Sequence, residues 1–413
     1  MARLLRLLLL LPSSTYRAAD FLEAARRLRV ELVVASERPQ ALRGVMGDRA
    51  VVLDPNRPEE AVQAAVALAA RRHVDAVVAV DDQGVELAAR VAEALGVAHN
   101  PVAAVAATRH KGVMRQALER AGVPQPEWRL VDPAEGAAGV ARAVTSLGPP
   151  CVVKPVSLAA SRGVIRVDDA AGASAVADRV RGIARAAGHP DEPLLVESYV
   201  PGPELAVEAL LLQGELRVLA VFDKPDPLEG PYFEETIFVT PSRLPAPTGA
   251  AVTARVADAA AALGLSGGPV HAELRVPGGR PVVVELAARS IGGLCSRALR
   301  FGLGMSLEEV ILRHALAMPL AGLVRESAAS GVMMLPIPAA GTLVAVRGQA
   351  AARAVPGIRG LEITIPRGRT VVPLPEGDRY LGFLFARGAS PHDVEAALRE
   401  AHACLRLDIR RAA

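Results

Sequence analysis

Through the first hundred residues, short apolar runs alternate with segments whose apolar positions recur every three or four residues. The runs at 4–11, 30–35 and 76–80 predict strands, and the segments at 18–28, 59–72 and 85–95 predict amphipathic helices. Strands alternating with helices build a parallel sheet covered on both faces. No G-x-G-x-x-G follows the first run, so nothing supports a dinucleotide site there. Asp81 and Asp82 close the third run at its carboxyl edge, where open α/β sheets take their ligands; acids that only cap a loop would read the same.

His99-Asn100-Pro101 ends this unit. A helix over 105–121 carries Lys111 and is stopped by Gly122 and Pro124. A strand pair at 151–156 and 164–167 precedes a helix at 171–187. From 194 the pattern turns strand-rich, with strands at 194–200, 204–212, 216–222, 270–276 and 282–287 and a helix at 248–263. A last unit has strands at 332–337, 361–365 and 382–386, then a helix at 391–405.

Composition narrows the class. The 413 residues, 51% hydrophobic and with net charge +3, are enough for two to four domains with their own cores and exclude disorder. No window is long and apolar enough to span a membrane. The opening 1–11 looks like a leader, but its uninterrupted apolar run is too short and no A-x-A site follows, so a buried first strand is expected. Basic and acidic residues number 47 and 44, which leaves no footprint for nucleic acid. Cys151, Cys295 and Cys404 lie far apart without a C-x-x-C, which points to neither disulfides nor zinc and to a reducing cytoplasm. Only three of the basic residues are lysines: Lys111, Lys154 and Lys224. In a chain so biased towards arginine, lysine is expected to persist where the compact ammonium is required.

The segment 271–289 carries the clearest chemistry. Gly278-Gly279 between apolar runs signals a hairpin. A two-residue loop sets Glu273 opposite position 284; a three-residue loop over 278–280 sets it opposite Glu285. Opposed side chains lie about 5 Å apart at Cβ, and two carboxylates there repel unless a cation sits between them. Mg²⁺ takes one or two carboxylates with phosphate oxygens and waters. Alternation places His271, Glu273 and Arg275 on one face, continued by Glu285, Ala287 and Arg289. An exposed hairpin with surface acids is the plain alternative, but 282–288 is too apolar for one.

Lys154 lies inside an apolar strand, which is costly unless an anion meets it. The loop that follows, with Ser157, Ser161 and Gly163, is small enough for its amides to approach phosphates, although it is no G-x-x-x-x-G-K-[ST] loop. The strand ending at Pro201-Gly202 offers backbone groups and Glu197 to a purine edge, and Glu204 and Glu208 share a strand face.

In chain order, Asn100-Pro101 with Lys111, Lys154 with its loop, Glu197-Ser-Tyr-Val200 with Glu204, then Glu273, Glu285 and Arg289 resemble the ATP-grasp superfamily. The similarity runs over residues 100–320, and 380–388 resembles the C-terminal domain of the biotin carboxylase and L-amino-acid ligase branch. The resemblance implies an α/β and α+β multidomain chain with the ATP-grasp fold. Its parts would be an N-terminal Rossmann-like parallel-sheet domain at 1–103, a small lid subdomain with its entry helix at 104–192, a large subdomain with the metal hairpin at 193–325, and a C-terminal α+β domain at 326–413.

The resemblance also implies ATP with Mg²⁺ or Mn²⁺. Lys111 and Lys154 would bind phosphates, with Ser157, Ser161 and Gly163 in the covering loop. Glu197 would read the adenine amino group, the Tyr199 and Val200 backbone the ring edge, and Glu204 would lie near the ribose. Glu273 and Glu285 would hold metal, and Arg289 would steady the acyl phosphate and the substrate carboxylate. His271 and Lys224 are further expected substrate contacts, Lys224 from a Pro-rich loop between strands. One departure stands out: many ATP-grasp enzymes carry Asn where this chain has Ala287, an absence shared by the dipeptide-forming ligases.

The implied activity is an ATP-dependent carboxylate–amine ligase acting on small molecules, with amino acids as the expected substrates and a homodimer implied by the same resemblance. A biotin carboxylase-like subunit is disfavoured, since no bicarbonate-site arginine pair and no carrier lysine is seen. A non-catalytic ATP-binding protein and a small-molecule kinase are the remaining alternatives.

Overall fold

The computed structural model describes residues 3–40 and 43–411. The opening strand, Arg6–Leu10, is buried along its full length; Met1 and Ala2 lie outside the described residues. It is flanked in parallel by Glu31–Ser36 and Ala76–Ala79, with Ala50–Val52 beyond. Being apolar on both faces, this sheet is covered on both. Leu8, Leu10 and Val77 pack with helices Pro58–Arg71 and Val85–Leu95. Leu7, Leu9 and Val78 pack with Ala18–Leu28 and with Leu307–Ala315, which joins the sheet to the main body.

The helix expected over 105–121 is two helices, Val102–Arg109 and Lys111–Arg120. His110 breaks it with an extended backbone (φ −114°, ψ 102°), and its ring nitrogen caps the second helix by accepting from the Val113 N–H. The break frees the Lys111 N–H to donate to the Val156 carbonyl at 3.0 Å, tying the helix start to the loop after the Lys154 strand.

A four-stranded antiparallel sheet runs in the order Trp128–Val131, Leu194–Ser198, Cys151–Pro155, Ile165–Val167 beneath helices Gly136–Leu147 and Ala173–Ala186. Leu194–Ser198 therefore pairs with the small sheet, past the subdomain boundary expected at 193. The large sheet is antiparallel throughout, in the order Val282–Ala287, Gly268–Arg275, Glu204–Leu212, Glu215–Lys224, Ile237–Thr240, Ala329–Leu335, Gly382–Gly388, Ile358–Ile363. Its last three strands follow residue 326, so the C-terminal segment extends this sheet instead of starting a separate one. The link is Ile237–Thr240, a four-residue strand that the hydrophobic pattern did not announce. Thr370–Val371, Gly341–Arg347 and Arg406–Arg410 form a further small sheet. Among the described residues, no helix is long and apolar enough to cross a membrane.

Asn100, read with Pro101 as a lead-in to the site, is a structural clasp. Its carbonyl oxygen accepts from the Ser266 and Gly267 N–H groups (2.8 and 2.9 Å), and its amide donates to the Gly267 carbonyl (2.6 Å). Asn100→Ala strips partners from two backbone amides and should lower the unfolding free energy by about 2 kcal/mol. A drop in the urea midpoint with nucleotide affinity unchanged is the expected result.

Candidate active site

The carboxyl edge of the N-terminal sheet, the small sheet and the hairpin end of the large sheet face one cleft of about 370 Å³. Lys111, Lys154, Ser161, Glu197, Tyr199, Val200, Glu204, His271, Glu273, Glu285 and Arg289 line it; Ser157, Gly163 and Lys224 do not.

Glu273 stands directly opposite Glu285, but by a route other than the expected loop. Arg275 pairs with Val282 and Leu274 with Val283, the register that the two-residue loop gives and that would set Glu273 opposite position 284. The register then shifts, and Val284 is the extra residue of a bulge that restores the opposition. Lys111 Nζ lies 3.4 Å from Glu285 Oε1 and donates to the Leu158 carbonyl at 2.6 Å.

His271 lies between two carboxylates, with Nδ1 3.2 Å from Glu208 and Nε2 3.5 Å from Glu273. Burial alone would depress its pKa, but the bonds to Glu208 and Glu273 outweigh that and raise it to about 9. Both ring nitrogens are thus engaged by carboxylates, and His271 still lines the cleft.

Lys224 departs from its expected place. It is the last residue of the strand Glu215–Lys224, buried and off the cleft wall. Its ammonium bonds Glu204 (2.8 Å) and Glu235 and lies 3.6 Å from Glu273. Burial opposes that charge, yet the three carboxylates hold the lysine well above its usual pKa. Glu204 takes Arg275 Nε as well, at 2.9 Å, so the acid expected near a ribose is committed to two cations. Glu235, which the sequence reading passed over, is raised to about 7 by burial, against the pull of Lys224.

Two groupings could take a divalent ion. Oxygens of Glu204, Glu235 and Glu273 lie within 4.8 Å of one another, but Lys224 already supplies a cation to all three. The opposed Glu273 and Glu285 offer hard oxygen donors on the cleft wall, and their mutual repulsion calls for a cation. The residues present fit Mg²⁺ or Mn²⁺ at this pair.

Lys154 Nζ lies 2.7 Å from Glu197 Oε2, and Arg115 Nε donates to Glu197 Oε1 at 2.6 Å; all three side chains are buried. Burial would raise Glu197, but Arg115 and Lys154 outweigh it and keep the carboxyl below its ordinary range. Each Glu197 oxygen thus meets a cation, which makes it the counter-ion of Lys154 while it still lines the cleft. The Tyr199 N–H donates to the Pro150 carbonyl (3.0 Å), which leaves the Tyr199 carbonyl and the Val200 backbone for a ring edge. Arg115 was not foreseen; its signal was a cation one turn after Lys111, on the same buried stripe as Met114 and Leu118.

In the loop after Lys154, Ala160 and Ser161 adopt left-handed backbone (φ 56° and 55°), conformations that concentrate at ligand sites. The Gly163 N–H is spent on the Pro375 carbonyl (2.9 Å), and the Ser157 carbonyl accepts from Arg109 (3.3 Å). Of the three loop residues expected at phosphate, Ser161 alone reaches the cleft.

Arg289 bonds Asp82 at 2.7 Å, and Arg109 lies 3.0 Å from the other Asp82 oxygen. Burial would raise Asp82, but the two guanidiniums hold it far below the carboxylate range. Arg17 donates to the Val80 and Ile291 carbonyls (3.1 and 3.2 Å), to Ser290 Oγ and to Glu308, binding the segment after Arg289 to the N-terminal strand edge.

A fold with a small and a large antiparallel sheet around lysines and a glutamate pair defines the class. Family models for an ATP-grasp N-terminal domain (22–99), an ATP-grasp domain (147–298) and an L-amino acid ligase C-terminal domain 2 (333–410) match in that order. The chain belongs to the ATP-grasp superfamily. Within it, alanine–anticapsin ligase of Bacillus subtilis (strain 168) is 26% identical over 278 residues, 63% of this chain and 58% of that enzyme, so the match spans under two thirds of the relative. A D-alanine–D-alanine ligase of Aromatoleum aromaticum is 32% identical over 168 residues, 40% of this chain and 51% of the other. An L-amino acid ligase from Bacillus licheniformis shares the fold over all of both chains (TM-score 0.81, 24% identity). Biotin carboxylase from Campylobacter jejuni shares it over 99% of this chain and 93% of the other (TM-score 0.68, 16% identity).

Among the described residues no cation pairs with Asp81. Burial, with Asp82 beside it, raises its carboxyl to about 6 from an ordinary 3.8. Below 3.8 the group is neutral in both states; as pH rises the unfolded chain ionises first, and stability is lost until the folded group titrates near 6. Asp81→Asn should therefore stabilise the protein at pH 7.5 by on the order of 2 kcal/mol, with the gain vanishing toward pH 4. Thermal unfolding of both proteins across that range checks it.

Proposed function

We propose that this chain is an ATP-dependent carboxylate–amine ligase that forms an amide or peptide bond and releases ADP and phosphate. The observation that carries this reading is the gathering in one cleft of Lys111, Lys154, Arg289 and the facing Glu273 and Glu285. A substrate carboxylate oxygen attacks the γ-phosphorus of ATP, the bond to ADP breaks, and an acyl phosphate results. An amine nitrogen then attacks the acyl carbon, and the carbon–oxygen bond to phosphate breaks.

Phosphoryl transfer of this kind depends on positioning and on charge neutralisation. Lys154, fixed by Glu197, and Lys111, at the head of its helix, meet the phosphates. Arg289 holds the anionic end of the acyl group, its own direction set by Asp82. When bound at Glu273 and Glu285, a divalent ion would neutralise phosphate charge and orient the nucleotide. The loop carrying Ser161 covers the phosphates and excludes water that would hydrolyse the acyl phosphate. Amino acids are the favoured substrates, because the relatives named above as ligases are amino acid ligases. The free cysteines, Cys151 and Cys295 buried, suit a cytoplasmic setting.

Supplied with a matching pair of amino acids, the protein should convert ATP to ADP and yield a product whose mass is the two substrates less one water. Release of AMP and pyrophosphate would overturn the mechanism. Lys154→Ala and Glu285→Gln should each lower turnover about 100-fold or more with circular dichroism unchanged. Near-native turnover in either would remove these residues from the site.

A further inference from the structure

The opposition of Glu273 and Glu285 is not a consequence of the hairpin turn. From the turn the register pairs Arg275 with Val282 and Leu274 with Val283. Continued without a break, it would place Val284 opposite Glu273 and Glu285 opposite Ala272. A one-residue slip moves every following side chain to the other face of a sheet. Glu285 would then point with Ala272 into the apolar core that Val283 and Leu286 share now, and the acid pair would be lost. The bulge at Val284 prevents this.

A bulge leaves backbone groups without ladder partners, so something else must satisfy them. Here it is one side chain. Arg115 Nη2 donates to the Val284 carbonyl at 2.5 Å and Nη1 to the Val283 carbonyl at 3.3 Å. Its Nε bonds Glu197, the counter-ion of Lys154. Gln125 supports it from the other side: Gln125 Oε1 accepts from Nη1 at 3.4 Å, and Gln125 Nε2 donates to the Arg115 carbonyl at 2.8 Å. The guanidinium is 1% exposed, so this is a built contact inside the molecule. Only a planar fork can serve two carbonyls and a carboxylate together; a lysine ammonium at that place cannot span them.

We propose that Arg115 is a positioning residue that fixes the Val284 bulge, sets Glu285 against Glu273, and couples that pair to Lys154 through Glu197. The inference rests on the reading of Glu273 and Glu285 as the divalent-ion site.

The test is Mn²⁺ binding to the full-length protein, followed by electron paramagnetic resonance with ADP present and without turnover. Arg115→Lys and Glu285→Gln are titrated in parallel, with metal-free ADP binding measured by calorimetry. Arg115→Lys should weaken Mn²⁺ binding about 10-fold or more, the usual scale for groups that orient metal ligands, and metal-free ADP binding by a clearly smaller factor, since Lys154 keeps Glu197. Gln125→Ala, which keeps the arginine but removes its support, should weaken Mn²⁺ binding in the same direction by a smaller factor. It also decides the matter if Arg115→Lys does not fold. Native Mn²⁺ affinity in Arg115→Lys, or in Gln125→Ala where that is the folded variant, overturns the positioning role provided Glu285→Gln has lost the metal. Native affinity in Glu285→Gln as well overturns the metal reading beneath it.

Discussion

Two glutamates face each other across adjacent strands on the wall of the cleft, and the surrounding charges are arranged to tolerate that. Like charges about 5 Å apart repel by on the order of 3 kcal/mol at the effective dielectric near a protein surface. Lys111 reaches Glu285 from one side. Lys224 and His271 reach Glu273 from the other and hold it ionised despite its burial. Each acid thus has its own permanent cation, and what these cations leave uncompensated lies between the two acids, on the open side.

The buried charges form two clusters along the cleft wall. In one, Lys224 lies among Glu204, Glu235 and Glu273, with Arg275 bonded to Glu204. In the other, Glu197 lies between Lys154 and Arg115. Burying such groups costs solvation that pairing only roughly repays, so apolar residues of similar size would serve stability as well. Their retention is better explained by direction. Each cluster keeps one cation off the cleft wall, Lys224 in the first and Arg115 in the second, and that cation holds the members that line the cleft, Glu273 and Glu197 with its Lys154 among them.

The sequence disclosed the periodic and the local, and missed what distant segments impose. Ala18–Leu28 was legible because its buried positions recur at the helical period, and Glu204–Leu212 because it is a continuous, mostly apolar run. The rarity of lysine located all three members of the cluster region, since Lys111, Lys154 and Lys224 each contact an acid of the site. It did not separate a lysine that lines the cleft from one sealed behind it. The acid opposition was legible, but its cause was not: the bulge is held by Arg115, 168 residues before Val283 in the chain. Ile237–Thr240 was missed for a similar reason, being too short for any periodicity and defined by the strands on its two sides.

Arg289 shows how far the site depends on parts beyond the ATP-grasp sheets. A guanidinium at the end of a strand has many rotamers, and here one is chosen by Asp82, at the carboxyl edge of the N-terminal sheet. Asp82 is itself held by Arg109 on the helix leading to Lys111, and Arg17 bonds both the Val80 carbonyl on that edge and the Ile291 carbonyl beyond Arg289. Buried charge-assisted bonds of this sort are stronger than neutral ones and directional. The N-terminal sheet is therefore a wall of the cleft and the element that aims its arginine.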